Sequence, residues 1–102
     1  MASVEYRWQV PVDHPAFAGH FPSQPIVPGV VLLDQAILFA EKMLACPTGN
    51  WQVGNAKFLS PVLPGEVLTY ALTQKPSGAI AFAVQCEGRP VASGSLTPPA
   101  VA

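Results

Sequence analysis

The sequence has few charged side chains. Only 11% of its 102 residues are Asp, Glu, Lys or Arg and half are hydrophobic, so the chain is not of the intrinsically disordered class. Five Lys and Arg with a formal net charge of −1 leave no basic face large enough for nucleic acid. So few charges on a small apolar domain favour a homo-oligomer, most simply one built from two-fold dimers.

Long apolar runs and cysteines are also scarce. No uninterrupted apolar stretch approaches the ~20 residues of a membrane span. The N-terminal residues lack the apolar core of a signal peptide, so we expect a cytoplasmic protein. Cys46 and Cys86 have neither metal-ligand spacing nor a disulfide framework, which predicts reduced packing residues. Without a cluster of Cys, His and acidic residues, we expect no metal and no cofactor.

The hydrophobic pattern predicts an α+β domain. Residues 4–12 alternate between apolar and polar, which indicates a half-buried strand. Residues 13–28 contain four prolines, and such a long apolar loop is typical of a functional segment. From Gly29 to about Cys46 the composition is helical with a single narrow polar stripe, which predicts a helix wrapped by protein on most sides.

The second half of the sequence is rich in strand and turn signals. We predict strands at 50–60, 66–75, 79–87 and 90–97, the last two joined by a hairpin at Glu87-Gly88. The whole pattern predicts an antiparallel sheet curved around a central helix. We expect a single domain over residues 1–97, followed by a flexible tail over residues 98–102.

Three residues near the start of the predicted helix could carry chemistry. His20 lies in the apolar loop, and its ordinary pKa of ~6.5 suits a general base. Gly29 begins the helix, where free N–H groups can bind a carbonyl oxygen that becomes negative. Burial of Asp34 would raise its pKa above ~3.9 and let it donate a proton. Together they could abstract a proton next to a carbonyl and release a β-hydroxyl.

Each of these residues also has a purely structural interpretation. His20 could be a loop histidine with satisfied hydrogen bonds. Asp34 could be the solvated edge of the helix, on one stripe with Gln35, Glu41 and Lys42. Gly29 could serve only a tight junction between loop and helix. The residues alone leave these alternatives open.

The loop carries a motif that resembles a known signature. The run from Gly19 to Val30 reads Gly-His-Phe-Pro-Ser-Gln-Pro-Ile-Val-Pro-Gly-Val, and Asp34 follows His20 by fourteen positions. It resembles the signature of the (3R)-hydroxyacyl-acyl carrier protein dehydratases, the FabZ/FabA-like branch of the hotdog-fold superfamily. Later segments, at 55–58, 61–66 and 88–92, are similar to that family's strand, turn and last hairpin.

The resemblance implies a hotdog fold and a dimer with active sites at the subunit interface. It implies that His20 abstracts the C2 proton, that Asp34 of the partner chain handles the leaving 3-hydroxyl, and that the Gly29 amide polarises the thioester carbonyl. The substrate would be a 3-hydroxyacyl thioester of acyl carrier protein or coenzyme A. The residues expected to line its apolar binding site are Phe21, Val27, Pro28, Val30, Leu33 and Phe58.

One departure from the family pattern keeps other functions open. Leu38 stands four positions after the acid, where the family often has a Gln that supports the acid by hydrogen bonding. The lost Gln makes a non-catalytic acyl-thioester-binding subunit an alternative to the dehydratase. A hotdog thioesterase is a second alternative, because proteins of the hotdog superfamily often hydrolyse thioesters. The acyl chain length, the carrier and the pathway are not determined by the sequence.

Overall fold

The computed structural model describes residues 3–12, 27–44 and 50–99. Its elements are β1 (Ser3–Gln9), α1 (Gly29–Leu44), β2 (Gln52–Phe58), β3 (Val67–Gln74), β4 (Ile80–Cys86) and β5 (Arg89–Thr97). This order confirms the predicted α+β class. The loop with His20 and Phe21 lies outside the described residues, as does Cys46. Residues 100–102 also lie outside them, so the flexible tail stays a prediction.

The five strands form one antiparallel sheet in the order β1-β3-β4-β5-β2. The hairpin predicted at Glu87-Gly88 is confirmed: both residues have positive φ, 52° and 81°, as a two-residue hairpin turn requires. β1 and β2 are the edges of the sheet. All seven residues of β2 are exposed, so this edge offers its backbone and side chains to another surface.

The first strand ends earlier than the alternation predicts. Pairing with β3 stops at Gln9, after which Pro11 has no N–H to continue a ladder. Val10 is fully buried and pairs instead with the turn before β3: its amide donates to Glu66 O at 2.9 Å, and Gly65 N donates to Val10 O at 2.8 Å. The chain therefore leaves the sheet at Val10, and the side chain of Val12 is exposed.

The core lies between α1 and the inner face of the sheet. The helix contributes Val31, Leu32, Ala36 and Ala40, all buried. The small side chains of Ala36 and Ala40 let the helix lie close to the strands, and the buried Tyr70 donates a hydrogen bond from its hydroxyl to Leu32 O at 3.1 Å. The sheet contributes large apolar side chains, among them Leu68, Leu72, Ile80, Phe82, Val84 and Leu96.

An aromatic column ties α1 to β1 as well as to the centre of the sheet. Phe39 stacks on Tyr6 with ring centroids 4.5 Å apart and meets Tyr70 edge-on at 5.3 Å. The Lys42 ammonium lies 5.4 Å from the centre of the Tyr6 ring, within the range of a cation–π contact. These contacts fix the rotation of the helix about its own axis.

That rotation leaves one side of the helix uncovered in the single chain. Val30, Asp34, Leu38 and Lys42 recur every four residues and are all exposed. The helix residues off this line are buried or half-buried, so protein covers most sides of α1, as the composition predicted. The exposed line mixes two aliphatic side chains with two charged ones, whereas Gln35 and Glu41 are half-buried.

Glu66 joins the end of β4 and the start of β5 to the turn before β3. Its carboxylate accepts hydrogen bonds from Leu63 N at 2.7 Å, the Cys86 thiol at 3.2 Å and the Arg89 guanidinium at 3.2 Å. These donors hold the pKa of Glu66 below its usual value of about 4.5. Cys86 is a free, buried cysteine, as predicted, and burial together with Glu66 raises the pKa of its thiol.

We expect Glu66→Gln to lower the free energy of unfolding by about 1 kcal/mol at neutral pH, because charge-assisted hydrogen bonds are lost. The pKa of Glu66 is lower in the folded chain, so the ionised carboxylate stabilises the fold above pH ~4.5 and loses that effect as the pH falls through the folded-state pKa. Urea unfolding at about pH 7 and pH 3.5 should show the difference between wild type and variant shrinking in acid. Glu5→Gln, at an exposed position of β1, is the matched control. An equal difference at both pH values would contradict the assignment.

Candidate functional site

The start of α1 is held in place by the turn before β3. Val27 is buried in the core, and its amide donates to Val62 O at 2.8 Å. Pro28 follows, with its carbonyl accepting from Val31 N at 3.0 Å, and the helix begins at Gly29. The first amides of a helix have no partner within it, so Gly29 and Val30 present N–H groups at a rigidly placed helix start.

Gly29 is also in contact with β2. A methyl group on its Cα would lie 2.8 Å from Phe58 Cζ, closer than real contacts allow. The Phe58 ring therefore covers the helix start, and only glycine leaves room for it. This contact supports the tight-junction interpretation of Gly29. It also means that Phe58, which is half-exposed, lies beside the amides that could bind a carbonyl oxygen.

Asp34 lies on the exposed line of the helix, one turn beyond Val30 and one turn before Leu38. Val30 and Leu38 are 61% and 55% exposed, so the carboxylate is flanked by apolar surface that the single chain does not cover. The burial that would make Asp34 a proton donor is therefore not provided by the described residues.

A hollow of about 130 Å³ opens next to Asp34, between α1 and β1. We call it the Trp8 hollow; it is lined by Trp8, Val31, Asp34, Gln35 and Leu38. Trp8 comes from the inner face of β1 and is half-buried, while the other four residues come from the helix. A carboxylate at the rim of a small apolar depression can act on a polar group of a ligand whose hydrocarbon part lies in the depression.

The predicted site residues are thus only partly brought together. Gly29 and Phe58 are in contact, and Val30 lies on one exposed line with Asp34. Val27 is buried in the core, and Pro28 and Leu33 are half-buried. His20 and Phe21 lie outside the described residues, so their roles at the site stay predictions.

Sequence reasoning missed Trp8 as a neighbour of Asp34. Trp8 lies on the apolar face of the strand that the alternation predicts, but no local signal says which strand packs beside which side of the helix. Gln35, which the sequence places on one stripe with Asp34, points about 100° away from it around the helix, yet both side chains border the same hollow. The sequence singles out Leu38 only because it stands where the family often has a Gln side chain, and not as a residue that borders a hollow.

The described residues contain neither a group of metal-binding side chains nor a membrane-spanning helix. In the part of the chain that the structure describes, no three His, Cys, Asp or Glu side chains are grouped so that they could hold a metal ion. No helix in the same ranges is long and apolar enough to cross a membrane.

Known proteins resemble this chain over almost its whole length. The family model described as ApeI-like, ApeI dehydratase, matches residues 1–95. A 3-hydroxyacyl-[acyl-carrier-protein] dehydratase FabZ from Aliarcobacter butzleri is 33% identical over 107 residues, which cover 93% of this chain and 71% of the relative. The FabZ of Bartonella quintana is 34% identical, over 85% of this chain and 64% of its own. The FabZ of Pasteurella multocida is 42% identical over 66 residues, which cover 56% of this chain and 43% of the relative, so the chain spans only part of the length of these relatives.

Solved structures show the same architecture. The dehydratase heterocomplex ApeI:P from Xenorhabdus doucetiae gives a TM-score of 0.78 at 23% identity, over 93% of this chain and 85% of that one. A hot-dog-like protein from Thermanaerovibrio acidaminovorans gives a TM-score of 0.72 at 16% identity, over 93% and 77%. These likenesses confirm the hotdog fold that the motif implied. By its sequence and its fold, the chain belongs to the ApeI-like family of FabZ-related hotdog dehydratases.

Proposed function

We propose that the protein removes water from (3R)-hydroxyacyl thioesters of acyl carrier protein or coenzyme A, giving trans-2-enoyl thioesters in fatty-acid or related acyl-chain biosynthesis. The observation that carries the proposal is the position of Asp34, on the exposed line of the helix that Gly29 begins. Membership of a dehydratase family and the FabZ relatives support it. A cytoplasmic location remains a prediction of the sequence.

The reaction needs a base, an acid and a site for a carbonyl oxygen. His20 takes the proton from C2, and the electron pair moves to form the C2–C3 double bond. The C3–O bond breaks, and Asp34 of the partner subunit gives its proton to the leaving hydroxyl, which departs as water. The N–H of Gly29 donates to the thioester oxygen, where negative charge develops as the C2 proton leaves.

A second subunit supplies what the single chain lacks. The exposed apolar side chains near the site include Val30, Leu38 and Phe58, and the outer edge of β2, opposite β5, has no partner strand within the described residues. Covering this surface in a homodimer, or in a higher oligomer built from dimers, would bury the aliphatic neighbours of Asp34. Burial of the carboxyl favours its protonated form, the form that can donate to a leaving hydroxyl.

Hydration of a trans-2-enoyl thioester tests the chemistry, because the reverse reaction uses the same site. Wild type should consume the enoyl absorbance, and His20→Ala and Asp34→Asn should each lower kcat by about 100-fold or more, since each removes a proton-transfer group. The assay is run with both carrier-protein and coenzyme A thioesters, and the better substrate identifies the carrier.

Two variants serve as matched controls for this assay. His14→Ala removes the other histidine of the chain, and Glu5→Gln removes an exposed carboxylate on β1. Both should retain activity close to wild type. No turnover by a folded wild-type protein on either carrier would refute the dehydratase. Release of free thiol from a saturated acyl thioester would identify a thioesterase instead, and binding without turnover a non-catalytic subunit.

Gly29→Ala separates the packing role of this residue from its amide. We expect the added methyl group to push the Phe58 ring away and to lower both the free energy of unfolding and kcat/KM, because the two groups would lie 2.8 Å apart. Adding Phe58→Leu should restore much of both, since alanine retains the N–H and the smaller side chain makes room. Thermal unfolding and the hydration assay measure the two effects. A double variant that regains stability but not activity would show that the Phe58 ring itself is needed at the site.

The dimer can be tested at the free edge of the sheet. Val53, on β2, is 41% exposed, and Val67, on β3, is 47% exposed. If β2 lies in the interface, Val53→Lys should shift the mass found by light scattering from dimer towards monomer, because it places an unpaired charge in a buried contact. Val67→Lys, at similar exposure away from that edge, should leave the mass unchanged. A dimer that survives Val53→Lys would exclude β2 as the interface.

A further inference from the structure

The Trp8 hollow has a composition that core packing does not explain. Trp8 and Val31 form its inner walls, and Leu38, which is 55% exposed, forms an outer one. Leu38 contributes nothing to the buried core, yet it stands beside the carboxylate of Asp34. Polar groups are restricted to Asp34 and Gln35. A concave surface of this kind, mostly apolar with a few polar groups, is typical of a ligand site.

We propose that this hollow receives the part of the acyl chain beyond C3, and that Trp8 and Leu38 set the acyl length that the enzyme accepts. The inference rests on the proposed function. There, Gly29 of one subunit holds the thioester oxygen, and Asp34 of the partner subunit meets the hydroxyl on C3. The chain that continues past C3 therefore enters the hollow next to that same Asp34. The polar pantetheine arm does not suit walls of indole and aliphatic carbon, whereas hydrocarbon does.

The size of the hollow limits the chain. A cavity of ~150 Å³ in a protein core accommodates benzene, with its six carbons. A hollow of about 130 Å³ therefore holds about five carbons. With C1 to C3 outside it, the favoured acyl group has about eight carbons in total. Chains much longer than this exceed the space that Trp8 and the four helix residues border, and shorter ones leave part of the hollow unfilled.

A chain-length series tests the inference through a ratio. We compare kcat/KM for the hydration of crotonyl, hexenoyl, octenoyl and dodecenoyl thioesters. Wild type should favour octenoyl and discriminate against dodecenoyl. Trp8→Ala should raise the ratio of dodecenoyl to hexenoyl activity by about tenfold, because misfit of a methylene or two has this effect on specificity. Leu38→Trp should move the preference towards crotonyl by filling the hollow.

The matched control is Val4→Ala, which truncates another apolar side chain on the same face of β1 but away from the hollow. It lowers stability without changing the length ratio. If Trp8→Ala scales all four substrates by one factor, as Val4→Ala does, Trp8 has only a structural role and the inference is wrong. An unchanged preference in Leu38→Trp would have the same meaning.

A second measurement needs no turnover, so it separates this inference from the proposed reaction. The chain has two tryptophans, Trp8 and Trp51. In Trp51→Phe the only tryptophan fluorescence is that of Trp8, and bromine quenches an indole that it touches. Coenzyme A carrying an octanoyl group with a terminal bromine should quench this protein but not Trp8→Phe, in which Trp51 remains. Quenching without hydration keeps the acyl site and rejects the dehydratase. Hydration without quenching of Trp8 rejects the site.

Discussion

Ala36 and Ala40, both fully buried, set how closely α1 lies on the sheet, and the hydrogen bond from the Tyr70 hydroxyl to Leu32 O fixes its rotation. The aromatic contacts of Phe39 act in the same direction. A turned helix would expose Leu32 and carry Asp34 into an apolar core, which is costly for an unpaired carboxylate. The seating of one helix thereby decides where the acidic group of the site lies.

Two contacts hold the start of α1 in place. The amide of Val27 pairs with Val62 O, and the Phe58 ring lies against Gly29, so the turn before β3 and the end of β2 both hold this point. The same glycine therefore has a packing role, observed in the fold, and a chemical role in the proposed reaction. The two do not conflict, since the contact uses the Cα position and the chemistry uses the N–H group.

The two sides of α1 differ. One side packs into the core of the domain, and the other side, which carries Asp34, is exposed. The sheet packs against one side of the helix. Among the described residues, no buried polar side chain lacks a hydrogen-bond partner. On the other side, Val30 and Leu38 flank Asp34 with apolar surface that gains nothing from water. A partner subunit and an acyl chain are the two things that such a surface suits, and the proposed reaction uses both.

The sequence by itself determined the local structure. Alternation around Tyr6 and Trp8 predicted the inner face of β1, Glu87-Gly88 predicted the hairpin turn, and Pro28-Gly29 predicted the helix start, because each signal acts over a few residues. The spacing of His20, Gly29 and Asp34 indicated the family. These features depend on backbone preferences and on short-range periodicity, and both are properties of residues that are close together in the sequence.

Only the tertiary structure decided which of these elements meet. β1 ends at Gln9 because Val10 pairs with Glu66 and Gly65, far along the chain. Trp8 lies beside Asp34 because β1 is the edge strand next to β3, and Leu38 is exposed because the sheet covers the opposite side of the helix. An apolar residue that the chain itself buries and one left for a partner look alike in the sequence. The difference is set by long-range packing, which no local pattern contains.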